Sequence, residues 1–262
     1  MKHNHIIYIL AVASFILPSC QKVIHIDLNA ADPKYVIEGN VSDQTAIQTI
    51  KISKTVSFES SNTFPAVSGA LVTITDATAG TTDTLTEGSA GMYMTTAMAG
   101  TPGHTYQLYI RSEGKVFTST CTMPQPVTLD SLYVSKSVFG NTRGAIVYTD
   151  PAAKGNYYYF AEYKNGVQTD NIYIRNDDLV NGQVIDQTLS RGGGESKLES
   201  GDYLTISLEC IDSAMYQFYY TLQQTKNQNA ATPANPQSNI VGGALGYFSA
   251  HTSSSKSVLI TQ

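Results

Sequence analysis

Tryptophan is absent from the 262 residues, and charge is scarce, with Asp, Glu, Lys and Arg together making up 14%. With no basic run, that scarcity leaves no electrostatic footprint for a nucleic acid. Cysteine occurs three times and histidine five, and neither the HExxH pattern nor a zinc-type Cys/His spacing is present. A GxSxG nucleophile elbow is missing, so the many serines read as strand and loop residues. The glycine-rich stretch "SRGGGES" at 190–196 lacks the Lys-Ser/Thr that grips phosphate and reads as a flexible hairpin connection. The acidic loop around Asp177, Asp178, Asn181 and Gly182 lacks the EF-hand spacing, which leaves a solvated turn as its plain reading and calcium as the alternative. No uninterrupted apolar run approaches the ~20 residues of a membrane-spanning helix. These absences leave an empty catalytic inventory: we expect no enzyme, no cofactor and no metal.

What is present begins at the N-terminus. Lys2 and His3 precede Ile6–Leu17, twelve residues interrupted only by Tyr8 and Ser14. These are the n-region and h-region of a secretory signal. The run ends Leu17-Pro18-Ser19-Cys20, which resembles a bacterial lipobox. The resemblance implies that residues 1–19 are removed and that Cys20 carries diacylglycerol as the mature N-terminus. The alternative is a plain signal peptide, with Cys20 destined for a disulfide. Gln21 in place of Asp implies outer-membrane sorting, by the rule for such lipoproteins. Residues 20–33 form a short lipidated tether.

Removal of 1–19, Lys2 among them, leaves 243 residues, with 15 basic against 21 acidic side chains. Seventeen tyrosines suit pleated, half-buried surfaces. In "TYQLYIRS", Tyr106, Leu108 and Ile110 fall on one face and Gln107, Tyr109 and Arg111 on the other, the period of a half-buried strand. Turn signals recur at sandwich-like intervals. Pro124 and Pro126 mark a boundary, giving expected domains at 34–125 and 126–262. Asp212 can N-cap a single helix over about 212–228, where Met215, Phe218, Tyr219 and Leu222 recur at helical spacing. A long Asn/Pro/Gly-rich loop follows, then "YFSAHTS" and a separate final strand, "SVLIT". Cys121 and Cys210 fall on the apolar sides of two strands and read as buried free thiols.

Gly69, Ala70, Val72 and Ile74, with Gly91, Tyr93, Gly103, Tyr106, Leu108 and Ile110, resemble carboxypeptidase-regulatory-like or transthyretin-like modules. That implies an N-terminal Ig-like β-sandwich followed by a second β-rich domain carrying the helix: a mainly β fold. From the lipobox through "KYVIEGNVSDQ", "TMPQPVTLDSL" and "LGYFSA", the chain is similar to an uncharacterised lipoprotein family of Bacteroidetes-type bacteria, catalogued as domain of unknown function 4249. The resemblance implies an outer-membrane lipoprotein, often encoded beside a TonB-dependent transporter. The acidic residues that follow the cysteine in surface-exposed lipoproteins are missing at Gln21–Ile24, so either face of the membrane is open.

For contact with a partner or ligand, the tyrosine cluster 157–163 stands out. Alternation sends Tyr157, Tyr159 and Tyr163 to one side, with Tyr158 and Phe160 on the other. One side is core; the other is a candidate binding strip. Asn235 and Tyr247, in and just after the long loop, join it, because binding residues ride on loops held by a rigid scaffold. The resulting expectation is a non-enzymatic accessory of an uptake system, with a stand-alone glycan- or ligand-binding lipoprotein and a structural adhesin as alternatives.

Overall fold

The computed structural model describes residues 32–57, 63–136, 140–190, 198–226 and 235–261. The expected signal, the lipidation site Cys20 and nearly all of the tether lie outside them. Eight strands come first: β1 (Tyr35–Ser42), β2 (Ala46–Lys54), β3 (Leu71–Asp76), β4 (Thr81–Thr84), β5 (Thr86–Ser89), β6 (Met92–Met98), β7 (Thr105–Ser112) and β8 (Lys115–Thr122). Then follow β9 (Leu129–Lys136), β10 (Thr142–Thr149), β11 (Tyr157–Lys164), β12 (Val167–Gln168), β13 (Tyr173–Asn176), β14 (Val184–Thr188) and β15 (Tyr203–Ile211). The helix α1 (Ser213–Lys226) and the last strand, β16 (Leu245–Leu259), complete the order. The fold is mainly β, of sandwich type, with this one helix among the described residues.

Alternation dictates the layers. A nine-stranded sheet runs β12-β11-β15-β16-β1-β2-β6-β5, with β13 also on β11. Its inward face carries Ile37, Ile50, Ile52 and Phe248 at one end and Tyr158, Phe160, Ile206 and Leu208 at the other. A four-stranded sheet, β4-β3-β7-β8, contributes Val72, Ile74, Leu108 and Ile110 against the first group. A three-stranded sheet, β14-β10-β9, contributes Ile146, Tyr148 and Leu129 against the second. Each such fully buried side chain stabilises the fold by about 1.5–3 kcal/mol. The helix covers part of the large sheet's opposite face, through Met215 and Phe218. As expected from the sequence, the Asp212 carboxylate accepts the Met215 N–H at 2.8 Å as its N-cap. Positions 227–228 of the expected helix lie outside the described residues.

The long last strand organises the molecule. Where the sequence reads as two short strands separated by a serine run, β16 is continuous over 15 residues. The reason is backbone pairing, which needs no apolar side chain. Leu245–His251 run parallel to β1, and Thr252–Leu259 pair antiparallel with β15. The large sheet therefore continues across the 125/126 boundary, with β1 of one expected domain beside β16 of the other. Among the described residues, each half of β16 lacks a strand on one edge, and side chains fill the gaps. Asn239 donates to the Phe248 carbonyl at 2.7 Å and accepts its N–H at 2.9 Å. The Cys121 thiol accepts the Ala250 N–H at 3.0 Å. On the other edge, the Asp43 carboxylate accepts the Ser253 N–H at 3.0 Å.

Cys121 and Cys210 are free and buried, in different core clusters. Burial pushes the Cys210 thiol up to about 11 and raises that of Cys121 as well. The resembling residues Tyr93 and Tyr106 are core side chains with satisfied hydroxyls. Tyr93 donates to the Val67 carbonyl and accepts the Ala70 N–H, while Tyr106 accepts the N–H of Thr101.

Candidate functional site: an aromatic cleft beside the helix

The strip Tyr157, Tyr159 and Tyr163 does lie opposite Tyr158 and Phe160, but it is not an open face. The helix lies along it. Tyr159 stacks on Tyr219 with centroids 4.2 Å apart at 15°, and Tyr157 packs on Tyr216 at 5.2 Å. Tyr159 is buried, and Tyr157 and Tyr163 are half-buried against the same cluster. The sequence could place these rings on one side of a strand but not say what covers them, because α1 follows about fifty residues later.

At the margin of this cluster a cleft of about 440 Å³ opens between α1, the segment joining β12 to β13, and the start of β16. That volume is within the usual range for small-molecule sites, about 300–1,000 Å³. Tyr159, Phe218, Tyr219 and Tyr247 supply its aromatic wall, with Ile172 and Leu222 between them. Phe218 meets Tyr247 at 4.9 Å, and Tyr219 meets it at 6.5 Å. Of the expected residues, Tyr159 and Tyr247 thus meet in one place. Asn235 is exposed and adjoins Pro236, which also lines the cleft. Tyr157 and Tyr163 do not line it.

Its walls are tied to one another. Gln223 of α1 donates to the Ile172 carbonyl at 2.9 Å, and Lys226 donates to the Asp170 carbonyl at 2.7 Å. The Gln237 N–H donates to the Thr221 hydroxyl at 2.8 Å, holding the chain before β16 against the helix. Beneath the 169–171 segment, the buried Glu162 carboxylate accepts from Thr169 at 2.9 Å and from Asn171 at 2.6 Å. The cleft is pre-formed by these bonds.

Sequence reasoning passed over Glu209. It sits directly across the ladder from Tyr159 and from Ser253, on the helix side of the sheet. Its side chain keeps 16% of its accessible surface, and the His251 Nε2 stands 3.9 Å from its carboxylate. Burial raises its carboxyl above the ordinary range, with His251 opposing. After burial itself, the Glu209 charge is the next cause raising the hydroxyls of Tyr159, Tyr163 and Tyr219. The signal was a lone carboxylate on the Thr/Ser side of "LTISLEC".

Because the folded carboxyl is raised, the stability tied to it is complete below its ordinary value and is lost as pH rises through the raised one. Glu209→Gln, which cannot ionise, is therefore expected to melt above the wild type at about pH 8 and close to it at about pH 4. Thermal melts at the two pH values check this.

His251 also approaches Ser249, with Oγ to Nδ1 at 3.4 Å. The resemblance to a catalytic triad is superficial: Ser249 is 2% exposed, and both contacts are longer than a working hydrogen-bond relay. His104, in the turn before β7, is 2.7 Å from Asp76. That contact and the Ala79 and Thr78 amides hold the Asp76 carboxyl below its ordinary value, against the opposing effect of burial. In the acidic loop, Asp177 accepts the Gly155 and Asn156 amides, so it staples the loop. Among the described residues, no group of three or more His, Cys, Asp or Glu is placed to hold a metal ion, and no helix is long and apolar enough to cross a membrane.

Fold and site together define a sandwich-type β protein with a pre-formed aromatic cleft beside the one helix of its described residues. Residues 21–257 match the family described as domain of unknown function DUF4249, and the chain belongs to that family. A search of curated proteins finds no match.

Proposed function

We propose that this protein is a lipid-anchored, non-enzymatic accessory of an outer-membrane uptake system, and that it meets its partner or cargo through the aromatic cleft. The observation that carries the reading is the junction Leu17-Pro18-Ser19-Cys20 at the end of an apolar run. Each buried CH₂ of an acyl chain contributes about 0.8 kcal/mol, so one chain binds reversibly and two or three hold durably. Anchoring raises the local concentration of the body beside its partner, so weak contacts become effective. The link to a TonB-dependent transporter follows from the full-chain resemblance to lipoproteins often encoded beside one. The pre-formed cleft also supports a second reading, a lipoprotein that binds a ligand on its own.

Isolation of the protein from its own host in mild detergent tests the first reading. A TonB-dependent transporter is expected to co-purify with the wild type and to be reduced with Tyr247→Ala. Recovery of the protein without any transporter contradicts it.

A further inference from the structure

We infer that the cleft recognises an organic ammonium group carried on an apolar body. The inference rests on the cleft being the contact site and adds the chemical class of what enters. Three observations converge on it. The wall consists of four aromatic rings, Tyr159, Phe218, Tyr219 and Tyr247. Ring faces attract cations by about 0.5–2 kcal/mol each, more strongly where water is excluded.

The lining of the cleft itself also carries one more carboxylate than ammonium. Glu38 and Asp170 line it with a single ammonium, Lys226, which is held by Asp170 through its carbonyl at 2.7 Å and its carboxylate at 3.5 Å. Glu38 is paired with Lys51 at 3.0 Å.

Glu209 supplies the third observation. It is the cross-strand neighbour of Tyr159 on the cleft side of the sheet, and the His251 Nε2 stands 3.9 Å from its carboxylate, beyond hydrogen-bond reach. A mostly buried carboxylate with no hydrogen-bonded cation among the described residues is costly, and a cation seated on the neighbouring rings would relieve that cost. An anion would meet Glu38 and Asp170 in the lining. A neutral apolar ligand would leave Glu209 as it is. The same chemistry arrives either as a free ammonium compound or as a lysine side chain of a partner.

The test is a titration of the purified full chain in detergent, followed by NMR shifts and tyrosine fluorescence. One ligand is choline and the other is 3,3-dimethylbutan-1-ol, its neutral isostere with carbon in place of nitrogen. Choline is expected to bind at least about tenfold more tightly than the isostere. Tyr247→Leu and Tyr219→Leu, which keep apolar bulk but remove the ring face, are expected to erase that preference. Glu209→Gln is expected to weaken choline several-fold and leave the isostere unchanged. Nα-acetyl-lysine amide forms a further arm: its binding alongside choline identifies a partner's lysine as the source, and binding of choline alone identifies a free ligand.

Equal affinities for choline and its isostere overturn the inference, while loss of both on Tyr247→Leu would keep the cleft as a contact site. Absence of choline binding at millimolar concentration overturns it too. Neither result bears on transporter co-purification, so failure here is distinguishable from failure of the accessory role.

Discussion

Gly246→Ala is expected to be the most destabilising single-methyl change in the first half of β16, lowering stability by about 3 kcal/mol or more. Gly246 has φ +98°, and a Cβ there would sit 1.9 Å from the Ile37 carbonyl oxygen and 2.8 Å from its carbon. The obstruction is backbone of β1, whose Ile37 is the register partner of Gly246, so no side-chain rotation relieves it. Relief requires β16 to move away from β1 at the point where the two halves of the large sheet are joined. Gly69 is the internal control. Its φ is +73°, but a methyl added there would meet nothing within 4 Å, so Gly69→Ala carries only the backbone cost of about 1 kcal/mol. At roughly 2–4 °C per kcal/mol for a chain of this size, the two variants separate clearly in a thermal melt. Equal shifts would show that the Ile37 contact is unimportant.

Asn239→Ala is the second large effect, expected at about 2–5 kcal/mol in urea unfolding. Its amide makes both hydrogen bonds that a neighbouring strand would make to Phe248, a residue with no exposed surface. Removing the side chain leaves a buried N–H and a buried carbonyl without partners, each costing about 1–3 kcal/mol. The Asn239 backbone is itself held, because its carbonyl accepts the Ser119 hydroxyl at 2.9 Å. The loss is therefore not recovered by a simple shift of the loop. Asn239→Asp keeps an acceptor for the Phe248 N–H and loses the donor to its carbonyl, so an intermediate cost is expected. A change below about 1 kcal/mol for the alanine variant would mean that water replaces the amide.

Local pattern made the strands and the helix legible. The alternation in "TYQLYIRS" gave the correct inward set, Tyr106, Leu108 and Ile110, because one face of β7 meets the core and the other does not. Asp212 was readable as an N-cap because its signal lies within one turn. What the chain concealed is long-range. The Ser-rich middle of β16 carries no apolar period, since its stability comes from ladders to β1 and β15. The cleft draws on β1, β11, the 168–172 segment, α1 and the start of β16, which the chain brings together from distant stretches. Tyr159 and Tyr247 could be singled out as aromatic, but not shown to meet. Glu209 matters through what lies across the ladder from it, and Asn239 through the Phe248 backbone that its side chain bonds, neither of which a local pattern reveals.

The lipid anchor can be tested in one step, by intact-mass and N-terminal mass spectrometry of the protein isolated from its own host. The expected species begins at Cys20, lacks residues 1–19 and carries diacylglycerol in thioether linkage, with the fatty acids visible as a series of mass steps. A chain with an unmodified Cys20 thiol, recovered from the soluble fraction, would contradict the proposed anchor and with it the accessory role.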